Sequence, residues 1–524
     1  MKKIITICFM LIAAGNSFAQ QITFQKAYGG VDGDECYSVQ QTTDGGYIMV
    51  GNTDGFGAGI WLIYLIKTDA YGDTLWTKTI GGGGYDNGRS VQQTTDGGYI
   101  IAGYGDSFGT GGFNIYLIRT DATGSLLWSK TFGGSPTDIY TTSVQQTTDG
   151  GYIVTGNFGS SNGDEVYLIK ADANGDSLWT KTYGGVDDDN GHFVEQTNDG
   201  GYIITGETYS FGVGGSDVYL IKTDSVGNLL WSKTFGGTDD EVGFSVHQTT
   251  DGGYIIAGYY GSNGGGGMDI YLLKTDISGN LLWSKTLSGG GVGFSVQQTT
   301  DGGYIVTGYT GNSSASICLI KTDASGNLLW SKTFGGTYDD WAGSVQQTAD
   351  GGYIITGYTQ NYGAGGYNDV YLIKTDSLGN SGCHEANYTT VATIHTTQVT
   401  SPATITSSPA DIVTSPSIPT GSGSIVTALC TSVGIKEILN REELILFPNP
   451  FSDKINITTK TNEPVEITLF DITSRKLLHQ QFTNTLTLNT SHLSKGIYIY
   501  ELRPVPFSSG NKNGVIKKGK IVKD

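Results

Sequence analysis

One tetrapeptide, Asp-Gly-Gly-Tyr, recurs seven times in this chain, beginning at Asp44, Asp96, Asp149, Asp199, Asp251, Asp301 and Asp350. The copies stand 49 to 53 residues apart, a period that belongs to propellers and solenoids. A typical copy reads LLWSKTFGG, an acidic stretch, SVQQTTDGGYIITGY, a variable Gly-rich stretch and DVYLIKTDxxGN. Each copy therefore holds four short strands: A (SVQQT), B (GYIITGY), C (VYLIKT) and D (LWSKTF). Asp-Gly between A and B is a two-residue hairpin signal, because a type I′ turn needs positive φ at both central positions. The TDxxGN between C and D reads as a longer hairpin with glycine at a left-handed position. Strands B and C carry continuous apolar runs, so both faces of each four-stranded unit are expected to be covered by neighbours.

The ends of the array argue for a closed ring. The strand D tryptophan appears six times, as Trp76, Trp128, Trp179, Trp231, Trp283 and Trp330. Residues 22–30, ITFQKAYGG, match strand D with Phe24 in the Trp position, and the last copy stops at Asn380, after strand C. The N-terminal strand can complete the final blade, which an open solenoid would not need. The expectation is an all-β chain with a seven-bladed β-propeller over residues 20–380. Glycine supplies 81 of 524 residues, and its fixed positions make it a turn former here instead of a sign of disorder.

Strand order then separates two faces. A–B and C–D turns lie on a uniform face; B–C and D–A connections lie on a variable one, where binding is expected. The D–A connections are acidic: Asp187, Asp188 and Asp189, then Asp239, Asp240 and Glu241, could gather around calcium, although no EF-hand pattern is present. Solvated acidic loops explain the same residues. The B–C loops carry Phe108, Phe113, Tyr209, Phe211, Tyr260 and Tyr362, which can stack on sugars or anchor a protein, or simply pack the loops. Within strand A the first Gln changes only to Glu195 and His247 in adjacent copies, a carboxylate and an imidazole suited to acid–base work or to a metal; drift between repeats is the plainer account. No GxSxG, HExxH, P-loop or CxxC pattern occurs in the mature chain.

The net charge of −19 argues against a nucleic-acid partner, which would favour a basic face on the protein. Lys2 and Lys3, the apolar run Ile4 to Ala14 and Ser17-Phe18-Ala19 read as a signal peptide over residues 1–19. No other segment is long enough to span a bilayer as a helix. Export permits disulfides, and Cys383 and Cys430, which bracket a Thr/Ser/Pro-rich segment, are the expected pair. That segment, 381–434, reads as a linker or a small adaptor.

Residues 435–524 change pattern again, to several short strands of a small Ig-like β-sandwich. Pro448-Asn449-Pro450-Phe451, ITLFDITSRK, HLSKGIYIYEL and the basic end Lys517 to Lys523 resemble the C-terminal sorting domain of the type IX secretion system of Bacteroidota-type bacteria. Ser474 stands where that family usually has Gly, and residues 504–514 look inserted. The resemblance implies Sec export to the periplasm, engagement of the type IX machinery, and a secreted or outer-surface location. The repeats also resemble SVQQTxDGGYIxxG arrays of such exported proteins, which brings no settled activity. Asp-Ser/Thr-apolar tripeptides at Asp73, Asp176, Asp224 and Asp376 resemble an O-glycosylation signal of these bacteria. The function expected is a binding or adhesion module for a glycan or a protein. The alternatives are a polysaccharide hydrolase or lyase using Glu195 and His247, and a structural surface component.

Overall fold

The computed structural model describes residues 21–431, apart from short loop stretches, and the strands between Leu444 and Lys523. The signal peptide, the PNPF motif, Ser474 and nearly all of the insertion at 504–514 lie outside the described residues. The chain divides into two units, before and after Thr431.

The first unit is the propeller. Six sheets order their strands A, B, C, D from consecutive segments, and the seventh takes its strand D from the N-terminus: Phe24–Gly29 pairs antiparallel with Asp369–Thr375. Each interface between blades is a core of its own, built from strand B and C residues of one blade and their neighbours in the next, such as Ile203, Leu220, Ile256 and Leu273.

The repeat residues explain themselves as joints. Strand D Trp of one blade meets the Tyr of Asp-Gly-Gly-Tyr in the next at 5.8–6.0 Å between ring centroids. Phe24 meets Tyr47 in the same way at 6.1 Å, so the substitution preserves the joint. The glycine of each C–D turn sits against that aromatic ring. The second Gln of strand A accepts an amide from the A–B turn of the preceding blade in all seven interfaces, from Thr43 to Gln93 (2.8 Å) round to Ala349 to Gln41 (2.9 Å). The Asp of each turn is fixed from both sides. It accepts its own Thr hydroxyl and the second Gly amide, as Asp199 does at 2.5 and 3.0 Å. It also pairs with the strand C cation, as in Lys222–Asp199 at 2.9 Å. Lys or Arg fills that role in every blade.

Residues 385–431 give each blade a fifth, outermost strand. Glu385–Asn387 pairs with the strand D that ends at Phe334, and Val391–Ile394, Gln398–Thr400, Ile405–Ser407, Ile412–Thr414 and Thr420–Gly421 follow on successive blades in reverse order. Ile425–Thr431 ends the circuit on Phe24–Gly29. The segment is thus a belt around the whole ring. Its polar composition fits the place: an edge strand has one face in solvent, and its threonines finish the hydrogen bonding of buried strand C tyrosines. Thr404 Oγ1 lies 2.5 Å from Tyr219 Oη and 2.7 Å from Ser232 Oγ. Thr397 meets Tyr271 likewise. Where Cys318 stands in place of that tyrosine, the belt supplies Tyr388, whose hydroxyl lies 2.6 Å from Thr310 Oγ1.

The second unit has two antiparallel sheets. One contains Leu444–Phe447, Lys454–Thr459 and Thr485–Asn489; the other contains Lys476–Phe482, Val465–Asp471, Gly496–Pro504 and Lys517–Lys523. Ile455, Ile457, Ile467, Leu469, Leu488 and Tyr500 form its core. The basic final strand pairs with Gly496–Leu502 without a register shift. Among the described residues, no helix is long and apolar enough to cross a membrane.

Candidate functional site

A central cavity of about 510 Å³ opens among the strand A segments of all seven blades. Its lining follows from a β-bulge carried by every strand A. The bulged residue, the one before the repeated Ser (Phe193 replaces that Ser in the fourth blade), is left out of the strand pairing and lines the cavity. That position reads Tyr37, Arg89, Thr142, His192, Phe244, Phe294 and Gly343, different in nearly every blade while its flanks repeat. Tyr104 and Tyr358 of strand B, with Tyr140 and Trp341 of strand A, add to the wall.

One arc of the wall is aromatic. Trp341 and Tyr358 are stacked, 11° between ring planes and 6.3 Å between centroids. Trp341 also meets Tyr309 at 4.2 Å and Phe294 at 6.3 Å, and Phe294 leads to Phe244 at 5.2 Å. The opposite arc is polar. Arg89 lies over the Tyr37 ring at 4.1 Å and the Tyr104 ring at 5.3 Å, and donates to the Tyr104 hydroxyl at 2.8 Å. Burial works against the Arg89 charge, but Tyr37, Tyr104 and Glu35 more than offset it, and its pKa is held above the ordinary arginine value. His192 stands 5.0 Å from Phe244, with Nε2 3.8 Å from Glu207.

The repeated serines below this ring are structural. Ser38 accepts the Val91 amide of the next blade at 3.3 Å, and Ser90, Ser143, Ser245 and Ser295 do the same. The first Gln of strand A is equally structural: Gln145 Oε1 accepts the Gln196 amide at 2.6 Å. Glu195 takes over this role toward Gln248 at 3.4 Å. Its other oxygen is 2.6 Å from His247 Nδ1. Glu195 and His247 are thus brought together, half-buried, but neither lines the cavity.

The loop aromatics fall into three places. Phe108, Phe211, Tyr260 and Tyr362 each pack on the strand C tyrosine of their own blade, at 5.8–6.0 Å, and cover the interface cores. Phe113 stands beside the cavity, 5.7 Å from Tyr104 and 5.5 Å from Tyr140. Tyr209 is exposed.

The D–A acids are spread over separate tasks. Asp189 and Glu241 are buried and each caps the amide four residues earlier, Gly185 and Gly237, at 2.7 Å. Asp188 accepts the Asp164 amide, Asp240 accepts the Ser216 amide, Asp239 accepts the Tyr260 hydroxyl, and the Asp187 backbone binds Ser210. Among the described residues, no group of three or more His, Cys, Asp or Glu side chains is arranged to hold a metal ion. Burial raises the carboxyl of Asp34 to about 6. It raises Asp217 to about 6, and Glu241, helped by neighbouring Asp217, to about 8.

Sequence reasoning passed over the cavity wall itself. The available signal was the single hypervariable position inside an otherwise repeated strand, Tyr37 through Gly343.

Comparison with known proteins bears on both units. Residues 445–517 match the family described as the secretion system C-terminal sorting domain. No curated protein sequence matches the chain. Among solved structures, a protein of unknown function from Dyadobacter fermentans is 13% identical over 66% of this chain and 97% of its own, with a TM-score of 0.39. Sqt1 from Chaetomium thermophilum is 13% identical over 70% of this chain and 88% of its own, TM-score 0.40. PorZ, a surface component of the type IX secretion system of Porphyromonas gingivalis, is 10% identical over 95% and 85%, TM-score 0.28.

Proposed function

We propose that the propeller is a binding module that takes a sugar ring, or the end of a glycan chain, in its central cavity. The sorting domain makes the chain a type IX-exported β-propeller protein of the cell exterior. The observation that supports ligand binding is the aromatic arc of Phe294, Tyr309, Trp341 and Tyr358, half-buried around a 510 Å³ space. That size suits one or two sugar units, and flat aromatic faces pack on the apolar faces of sugars. Cavity-lining positions vary while every joint around them repeats, which is the pattern of a scaffold holding a site.

A glycan array with the exported chain tests this, followed by calorimetry on any ligand found. Trp341→Ala should weaken the ligand by tenfold or more, by about 1.4 kcal/mol, with the melting transition retained. An array without hits, together with unchanged melting in glycan mixtures, would refute it.

The 2.6 Å contact between Glu195 and His247 supports a second reading, acid–base cleavage of a polysaccharide. It expects Glu195→Gln to abolish release of reducing ends; activity surviving that change removes the pair from any catalysis.

A further inference from the structure

We infer that the ligand of the central cavity is anionic: a ring carrying one carboxylate, of the uronic acid class. This rests on the binding role proposed above. The chain carries a net charge of −19, yet among the described residues not one Asp or Glu lines the cavity, and the only permanent charge among them there is Arg89. Glu35 does attract Arg89, but its oxygens are taken by the Tyr37 hydroxyl and the Asn368 amide. An arginine has five N–H donors, and one is committed to Tyr104 here. Lying over two tyrosine rings, the guanidinium is pre-oriented, and its planar fork matches a carboxylate in a two-point contact. A cavity for a neutral sugar would more often place carboxylates or amides against hydroxyls. This one offers a stacking wall and a single oriented cation.

The test compares D-glucuronate oligosaccharides with the same oligosaccharides as methyl esters, by calorimetry on the exported chain. The acidic form should bind at least about tenfold more tightly, and Arg89→Gln should erase that preference, bringing acid and ester to the same affinity. Arg89→Lys, which keeps charge and loses the fork, should fall between; it also serves if the Gln variant folds poorly. Equal affinity for acid and ester overturns the charge inference and leaves the binding role standing. Absence of binding by either form, and by neutral glycans, overturns both.

An independent observation carries a second proposal. We propose that the disulfide partner of Cys383 is Cys430, which turns the belt into a closed covalent hoop around seven blades. Cys383 is disulfide-bonded, while Cys36 and Cys318 are buried free thiols. The two ends of the belt meet at Gln25 on the N-terminal strand. Its side-chain amide donates to the Cys383 carbonyl, and its backbone pairs with Cys430. Formation needs an exported disulfide donor: the two thiols give up two protons and two electrons by exchange, one S–S bond forms, and the donor leaves as a dithiol. Non-reducing peptide mapping should find Cys383 linked to Cys430, and alkylation before reduction should label neither. Cys430→Ser should shorten the survival of the belt under limited proteolysis by at least about tenfold, as reductant does for the parent chain. Cys383 recovered as a free thiol, or belt survival unchanged by both treatments, would overturn the hoop.

Discussion

Two glycines with nearly the same backbone isolate the energy of one blade joint. Gly200, in an A–B turn, has φ +81° and nothing within 4 Å of where a Cβ would stand. Gly227, in a C–D turn, has φ +77°, and a Cβ there would lie 2.7 Å from Trp179 Cζ3 of the preceding blade. Gly200→Ala should cost only the left-handed backbone penalty, about 1–2 kcal/mol, reduced by up to about 1 kcal/mol through the stiffer unfolded chain. Gly227→Ala should add the cost of overpacking a rigid aromatic contact, about 1–3 kcal/mol more. Urea midpoints with their slopes measure both. Trp179→Ala removes the ring itself, whereas a Phe there would still meet the Cβ, as Phe24 would at Gly72 at 2.7 Å. In the Trp179→Ala background Gly227→Ala should cost no more than Gly200→Ala. Equal costs in the parent protein, or no relief from Trp179→Ala, would refute the joint as the source of the difference.

The remaining expectations concern pH and closure. Asp34, Asp217 and Glu241 have folded values raised by burial to about 6, 6 and 8. The folded protein therefore holds their protons more tightly than the unfolded chain. That contribution is fully present below the ordinary carboxyl range and is lost as pH rises through 6 and then 8. Melting temperature should fall between about pH 4 and 8, and Glu241→Gln should flatten the upper part of that fall, between about pH 6 and 8; an unchanged slope removes Glu241 from the effect. The turn aspartates behave oppositely. Asp199, although burial opposes it, is held low by Thr197 and Lys222, so its contribution persists above the ordinary carboxyl value and fades only in stronger acid. Lys222→Met should reduce that low-pH component without removing it, because the Thr197 hydroxyl and the Gly201 amide still hold Asp199, as an acid titration of stability will show. Gln41→Leu, at the seam between the first and last blades, should cost about 1 kcal/mol, the same as Gln93→Leu one joint on. A much larger loss at Gln41 in thermal melts would mean that ring closure depends on this bond in a way the other joints do not.

The propeller was legible because each of its parts is local. Asp-Gly-Gly sets a hairpin within five residues, as from Thr42 to Gly46, although only its first glycine takes positive φ, so the turn is not the expected type I′. Phe24 could be matched to the tryptophans by its neighbours alone. The belt was not legible, because its strands are two to seven residues long and have no apolar face of their own. Their pairing is decided by blade edges up to about four hundred residues away, as Gln25 opposite Cys430 illustrates. The candidate site was half legible. Glu195 and His247 stood out as departures and do meet, but the positions from Tyr37 to Gly343 carry no motif. Only the bulge repeated in every strand A shows that they share an axis. The loop aromatics misdirect for a related reason: Phe108 and Phe211 look like surface rings in sequence, and only the tyrosine beneath each shows what they cover.

The belt has a consequence for how such a chain can change in evolution. Its strands begin at Glu385, Val391, Gln398, Ile405, Ile412, Thr420 and Ile425, close to one per seven residues, and each advances one blade. It therefore works as a tape measure that is already cut to length. Duplication or deletion of a whole repeat upstream leaves the tape a blade short or a blade long. The number of blades is thus recorded twice in the gene, once in the repeats and once in the segment that follows them, and a change in one record must wait for a matching change in the other.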